Sequence, residues 1–357
     1  METATCQICQ TKSRRIAGIL GVCASCLHTH FSEAHSRIAA AHAASREEFD
    51  LPVDPPRHKG GVQCKLCSNA CTIGEGERGF CGLRTVQQGK LVHLAGTPQR
   101  GLLHWYRDPL PTNCVADWVC EGSQHPGKHN LAVFYASCTS NCLYCQNWHF
   151  RQVSPDRSNT ISASELAAAA NPRTFCVCFF GGDPASQMPH ALAASKILAG
   201  RGVRVCWETN GMMHPKLLDA AVRYSLATGG CLKFDLKAFD EQVHLALTGV
   251  SNRRTLENFA RAARRFDERS EPPLVVASTL LVPGYVEADQ VAKIANFIAS
   301  LNVHIPYALL GFAPNFYLHD LPCTSVKHAR EAEVAARAAG LVNVRIGNRH
   351  LLGLGWN

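Results

Sequence analysis

The sequence predicts an α/β protein, a parallel sheet covered by helices and preceded by an N-terminal Cys-rich metal-binding region. Three observations carry this. From Leu131 onward, short continuous apolar runs bounded by turn residues alternate with helical patterns, the mark of parallel strands buried on both faces. Before that point cysteines recur in C-x2-C pairs. At 357 residues, 46% apolar and 18% charged, the chain is long enough to bury one large core with a smaller unit beside it.

Composition excludes several classes. The formal charge of +8 is spread along the chain, and the sequence pI of about 8.7 falls short of the value of about 9 that marks nucleic-acid-binding domains. The densest basic stretch, RRTLENFARAARRFDER from Arg253, has helical spacing and interspersed acids and reads as a solvated helix face. No run approaches the ~18 apolar residues of a membrane span, and two cysteines stand where a signal peptide would carry its apolar core. The expected address is the cytoplasm, without a membrane or nucleic-acid partner. In a reducing compartment, 18 cysteines imply metal sites rather than disulfides.

Residues 1–50 hold Cys6, Cys9, Cys23 and Cys26, followed by a helix from about Phe31 to Phe49. A C-x2-C-x13-C-x2-C set suits a zinc ribbon, since four thiolates satisfy tetrahedral zinc and the binding energy folds a small segment; an iron site or a redox dithiol share the spacing. His28, His35 and His42 recur every seven residues, as a metal face would and as exposed unpaired histidines also do. LPVDPPRHKGG reads as a linker. Residues 51–130 form a second metal-binding region around Cys64, Cys67, Cys71 and Cys81, whose uneven spacing suits an iron–sulfur cluster or zinc. The stretch up to about Asn130 reads as irregular, and Cys114 and Cys120 have no assignment.

Residues 131–357 carry predicted strands near 131–137, 175–180, 203–208, 231–236, 274–282, 305–311 and 342–346. Cys176, Cys178, Cys206 and Cys231 fall within them and read as small buried residues. In parallel α/β folds, barrel or open sheet, chemistry collects at the C-terminal ends of the strands. There the first strand runs into YASCTSNCLYCQNW with Cys138, Cys142 and Cys145, the second into Gly181-Gly182-Asp183-Pro184, the third into Glu208-Thr209-Asn210-Gly211 and the fourth into Asp235-Leu236-Lys237. Three thiolates on a cubane [4Fe–4S] cluster leave one iron open to another ligand. A zinc site completed by His149 is the alternative, although structural zinc seldom sits on such a rim.

The C-x3-C-x2-C spacing resembles the signature of the radical S-adenosylmethionine (SAM) superfamily. The resemblance implies a partial, six-stranded (β/α)6 barrel. It also implies SAM chelated by the open iron and cleaved reductively to a 5′-deoxyadenosyl radical. Gly181, Gly182 and Asp183 stand where that family has a Gly-Gly-Glu-Pro motif whose backbone binds the SAM ammonium. DLKAFDEQVHLALTGVSNRRTLENF, LVPGYVEADQVAKIANFI and ETNG are similar to stretches of pyruvate formate-lyase activating enzymes. That match implies SAM contacts from Asp235 and Lys237, a monovalent cation held by Glu208, Thr209 and Asp235, cofactor binding by Asn210, and Tyr144 against the adenine.

Two departures narrow the resemblance. The extra cysteines precede the barrel, and Ala313 of LLGFAP stands where those activases have a histidine. CKLCSNACTIGEGERGFCGLR, YCQNW, GFAPNFYLHDLPCTS and GLVNVRIGN are similar to the AmmeMemoRadiSam system radical SAM enzymes, over roughly residues 60–350. The expectation is an oxidoreductase-type radical enzyme with a [4Fe–4S] cluster, SAM, zinc and a second [4Fe–4S] cluster or zinc. It would take electrons from a flavodoxin or ferredoxin and act on a protein or small molecule other than a glycyl-radical enzyme. A glycyl-radical activase is the alternative, and a zinc-stabilised nucleic-acid- or protein-binding module is the rival from another class.

Overall fold

The computed structural model describes residues 3–112 and 114–353. Among them a hairpin, β1 (Ala4–Thr5) and β2 (Lys12–Ser13), leads into helices α1 (Ala24–Thr29) and α2 (Phe31–Glu47). Two further hairpins follow, β3 (Val62–Gln63) with β4 (Thr72–Ile73) and β5 (Arg84–Gln87) with β6 (Lys90–His93). No helix among the described residues is long and apolar enough to cross a membrane.

The main sheet comprises β7 (Leu103–Pro109), β8 (His129–Tyr135), β9 (Thr174–Gly181), β10 (Arg204–Thr209), β11 (Leu232–Asp235), β12 (Val275–Leu281), β13 (Tyr307–Gly311) and β14 (Val344–Gly347), in sequential spatial order. From β8 to β14 every neighbouring pair is parallel. That makes seven parallel strands among the described residues, one more than the resemblance implies. All seven predicted strands are present, shifted by a few residues at most.

Helices connect and cover them: α3 (Ala163–Ala168), α4 (Met188–Ala199), α5 (Pro215–Thr228), α6 (Glu241–Thr248), α7 (Arg253–Ala263), α8 (Ala288–Leu301) and α9 (Val326–Ala338). Local signals explain several boundaries. Ser162 and Glu165 form a capping box at α3, and α5 opens on Pro215 and stops at Gly229 in the left-handed region. On the outer face, Val177, Phe179, Val205, Trp207, Leu232 and Phe234 pack under the helices in the main core. The residues between them face inward.

The sequence reading lacks the short hairpin strands β1–β6 and, in the main sheet, β7. It pairs antiparallel with β8 from Leu103↔Tyr135 to Pro109↔His129 and is mostly exposed. Its polar composition hides it, as expected of an edge strand, and Pro109 ends it where no ladder donor is needed.

Residues 6–41 share one apolar cluster with Leu143, Tyr144, Ala238, Val243, Val282, Tyr285, Phe312 and Leu318. The latter follow β8, β11, β12 and β13, so the N-terminal unit sits on the C-terminal rim of the sheet. Leu20 and Leu27 are wholly buried there, each contributing about 1.5–3 kcal/mol of apolar burial. Tyr285 ties the unit down, accepting from the Ala17 amide (3.0 Å) and donating to the Val22 carbonyl (2.9 Å).

Candidate active site

A cavity of about 230 Å³ opens at the C-terminal rim. Its wall runs from Cys138, Cys142 and Cys145 through Gly181–Asp183, Glu208–Asn210, Asp235 and Lys237 to Leu310 and Asn348. Four motifs far apart in sequence therefore meet in one place, because successive parallel strands deliver their C-terminal loops to the same rim.

The cysteine loop is held from outside. The Asn141 amide donates to the Thr248 carbonyl (2.8 Å), the Leu143 amide to Leu247 (3.0 Å), and the Leu143 carbonyl accepts from Tyr317 and Leu318. Burial pushes the Cys138 thiol well up and the Cys142 thiol up to about 11. Apolar surroundings alone do not make these thiols reactive; a metal that stabilises the thiolates would.

Gly181 has φ of +100°, and a Cβ on Gly182 would come within 2.3 Å of the Ser137 carbonyl oxygen. Only glycine allows the second loop to lie so close against the first. The Gly182 and Asp183 amides donate to the Tyr135 and Ser137 carbonyls, both at 2.8 Å. The Asp183 carboxylate accepts from the amides of Ala185 (2.7 Å) and Asn210 (2.6 Å) and from the Thr209 hydroxyl (3.0 Å). Its side chain thus ties the second loop to the third. Burial outweighs those donors and raises its pKa to about 6.

Asn210 reaches across to the cysteine loop, donating to Thr139 Oγ1 (2.9 Å), Ser140 Oγ (3.0 Å) and, at 3.8 Å, Cys138 Sγ. Asp235 pairs with Lys237, whose ammonium lies 5.8 Å from the Tyr144 ring centre. Glu208 pairs with Lys233 at 2.8 Å. Each of the three residues expected at a monovalent cation thus has another partner: Glu208 has Lys233, Thr209 has Asp183 and Asp235 has Lys237. The lysine ammonium already supplies positive charge at Glu208.

The sequence reading missed Lys233, although it alternates with Asp235 and Lys237 and so shares their inward face. It also missed Arg151 and Arg84. Arg151 is buried and lines the cavity; its Nε and Nη1 atoms lack partners, as does the buried Tyr144 hydroxyl. A buried guanidinium with two nitrogens free of partners on a three-thiol cavity suits an anionic occupant. These residues fit an iron–sulfur cluster and a carboxylate-bearing cofactor.

The two cysteine tetrads differ in size. Cys6, Cys9, Cys23 and Cys26 have all four sulfurs within 4.8 Å of one another, with Cys9 and Cys23 at 3.8 Å. Zn–S bonds of about 2.3 Å in a tetrahedron require S···S of about 3.8 Å. Hydrogen bonding to Thr11 draws the Cys9 thiol down to about 6. Among the described residues, it is the only group of histidine, cysteine and acidic side chains that close. Cys64, Cys67, Cys71 and Cys81 stand wider, beside buried Arg84, whose Nη1 lies 3.8 Å from Cys81 Sγ. Their loop adjoins the three-cysteine loop: Ser137 Oγ donates to the Cys81 carbonyl and Asn69 to the Thr139 carbonyl, both at 2.8 Å.

The histidine face is not a metal face. His42 is buried against α6, while His28 lies on the separate helix α1 near Asp240, at 3.5 Å.

Residues 132–298 match the family described as the Radical SAM superfamily. An uncharacterised protein of Methanocaldococcus jannaschii is 26% identical over 80% of this chain and 81% of its own length. Another from the same organism, named as a candidate glycyl-radical enzyme activating enzyme, is 28% identical over 51% of this chain and 67% of its own. The pyruvate formate-lyase 1-activating enzyme of Escherichia coli K12 is 27% identical over 50% and 74% respectively. With the rim motifs in place and these relatives beside it, residues 132–298 carry a radical SAM domain, and the chain is similar to glycyl-radical enzyme activating enzymes, the pyruvate formate-lyase activating enzyme among them.

Proposed function

We propose that this enzyme cleaves SAM reductively at a [4Fe–4S] cluster held by Cys138, Cys142 and Cys145. The observation that carries the reading is the cavity itself: its lining contains these three cysteines and no fourth, together with the glycine pair and Lys237. When bound, cluster and SAM supply a 5′-deoxyadenosyl radical that takes hydrogen from a substrate.

The protein's own groups have distinct tasks in this reading. The backbone at Gly181–Gly182 receives the SAM ammonium, and Asp235 with Lys237 fixes the other polar end. Tyr144 offers its ring to the adenine, and Arg151 offsets anionic charge. Asp183 and Asn210 position the loops without touching the reacting atoms. The sulfur spacing of Cys6, Cys9, Cys23 and Cys26 supports zinc, and the wider set at Cys64–Cys81, with Arg84 beside it, supports a second [4Fe–4S] cluster. An electron donor of the flavodoxin or ferredoxin type in the cytoplasm completes the scheme.

For the substrate, the reading favours something other than a glycyl-radical protein. Ala313 supplies no histidine where those activases have one, and Val115, from the segment before β8, reaches the cavity wall, which helps to shield a radical from water and side reactions. The relatives' names favour the activase alternative. Incubation with SAM, reductant and a candidate glycyl-radical protein, read by electron paramagnetic resonance, separates the two. A glycyl doublet that depends on Cys142 overturns the substrate assignment; deoxyadenosine formed without a doublet is the expected result.

A further inference from the structure

Inside the sheet, next to the active-site cavity, lies a second cavity of about 90 Å³. The two share Phe180, Glu208 and Lys233 in their walls, so the second adjoins the space assigned above to SAM cleavage. Strand alternation builds it from inward-facing residues: Tyr106 and Asp108 on β7, Asn130 on β8, Cys178 on β9 and Cys206 on β10. The segment between β7 and β8 adds Leu110, Cys114 and Cys120 on the far side.

Most of this wall is apolar. Cys176, Cys178, Cys206 and Cys231 share one apolar cluster with Leu110 and Val276, as small buried thiols do. The charges on the wall are paired, with one exception. Glu208 is paired with Lys233 at 2.8 Å and Asp117 with Arg345 at 3.3 Å. The first pair stands between the two cavities and presents no net charge. Asp108 accepts from the Thr112 hydroxyl, and among the described residues no cationic side chain pairs with it. Two residues before it on the same face, Tyr106 meets the Phe180 ring edge-on, centroids 6.4 Å apart. A carboxylate without a cation, beside aromatic rings at the end of an apolar cavity, suits an ammonium, which gains from the charge and from the ring quadrupole.

We infer that this cavity is the substrate's pocket and that it takes a small molecule bearing a protonated amine. The ammonium sits at Asp108, and the carbon chain runs along the thiols toward Phe180 and the active-site cavity. The volume argues for a small occupant: about 90 Å³ is well below the ~300–1,000 Å³ of sites for drug-sized ligands. With the segment between β7 and β8 lining the far side, a protein loop finds no room. This assignment rests on the reading of the active-site cavity as the radical centre and narrows the substrate to the small-molecule class.

The probes that test it are 1-butylamine, a cation near neutral pH, and butanoate and 1-butanol of the same chain length. Their binding to the full, anaerobically purified, iron-loaded chain is read by ligand-observed nuclear magnetic resonance without SAM, for the wild type and for Asp108→Asn. The amine should bind about tenfold more tightly than the other two probes, and Asp108→Asn should weaken it about tenfold. Equal binding of the three probes, preference for butanoate, or an amine affinity unchanged in Asp108→Asn overturns the assignment. So does absence of amine binding at millimolar concentration. Should the variant fail to fold, the comparison of probes on the wild type decides. Failure of the radical-centre reading shows separately, as a wild type that binds the amine yet forms no deoxyadenosine with SAM and reductant. That result overturns the cavity's role as the substrate's pocket.

Discussion

The amide of Asn141, between the first two cysteines of the three-cysteine loop, donates to Nδ1 of His42 on α2 at 3.0 Å. His42 Nε2 faces the Leu245 and Ala246 carbonyls at 3.0 and 3.1 Å. That fixes the tautomer: Nε2 carries the proton and Nδ1 accepts. Ser45 Oγ accepts from the same amide at 2.8 Å, and Arg151 donates to Asn141 Oδ1 at 3.2 Å. The N-terminal unit thereby braces the loop on which the proposed cluster sits.

The brace makes residues 1–50 necessary for SAM cleavage, although a separate zinc module would be dispensable. Removing them, or stripping zinc from the Cys6–Cys26 site with a chelator, should lower deoxyadenosine formation at least tenfold. His42→Ala should cost about 1–3 kcal/mol of stability, since it leaves buried partners unsatisfied. Thermal unfolding and product quantification check both. Full activity after truncation would show that the brace does not matter.

Gly182→Ala should weaken SAM binding with the zinc site intact. A Cβ there meets the Ser137 carbonyl oxygen at 2.3 Å, so the second loop must move off the first. A loss of at least tenfold in affinity, about 1.4 kcal/mol, is expected by equilibrium dialysis. Wild-type affinity in this variant would remove the role given to the glycine pair.

Stability should fall as pH drops from about 6.5 to about 4. Burial lowers His42, His190 and His244 each to about 4, so the unfolded chain takes up their protons first. Stability from a lowered histidine is present above its unfolded pKa and is lost on acidification toward the folded one. Asp183, raised to about 6, works the other way, its contribution being lost as pH rises through about 6. Near pH 5 the three histidines give the unfolded state three more protons and Asp183 one fewer. The net of two makes stability rise by roughly 2.7 kcal/mol per pH unit from these groups. Urea midpoints measured across that range check the slope, and a flat or inverted profile would contradict it.

What the sequence made legible was the part written in local pattern. Continuous apolar runs marked the parallel strands, and the rim loops stood out because polar and glycine residues follow each run directly. Lys233 was legible in principle from its alternation with Asp235 and Lys237. Contacts such as His42 with Asn141, which are 99 residues apart, depend on how the N-terminal unit lies on the rim. No local signal encodes that. For the same reason the heptad of histidines suggested a shared face that the break between α1 and α2 does not allow. What stayed hidden was the pairing of Lys233 with Glu208 on the neighbouring strand, which supplies the charge expected from a cation.

The most direct test of the central claim is 5′-deoxyadenosine produced by the anaerobically purified, iron-loaded protein with SAM and a strong reductant, compared with Cys142→Ala. The wild type should form deoxyadenosine and the variant none, while both retain the zinc of the Cys6–Cys26 site and a cooperative unfolding transition. Deoxyadenosine at the same rate from a folded Cys142→Ala protein would contradict the assignment of the three-cysteine loop as the radical centre.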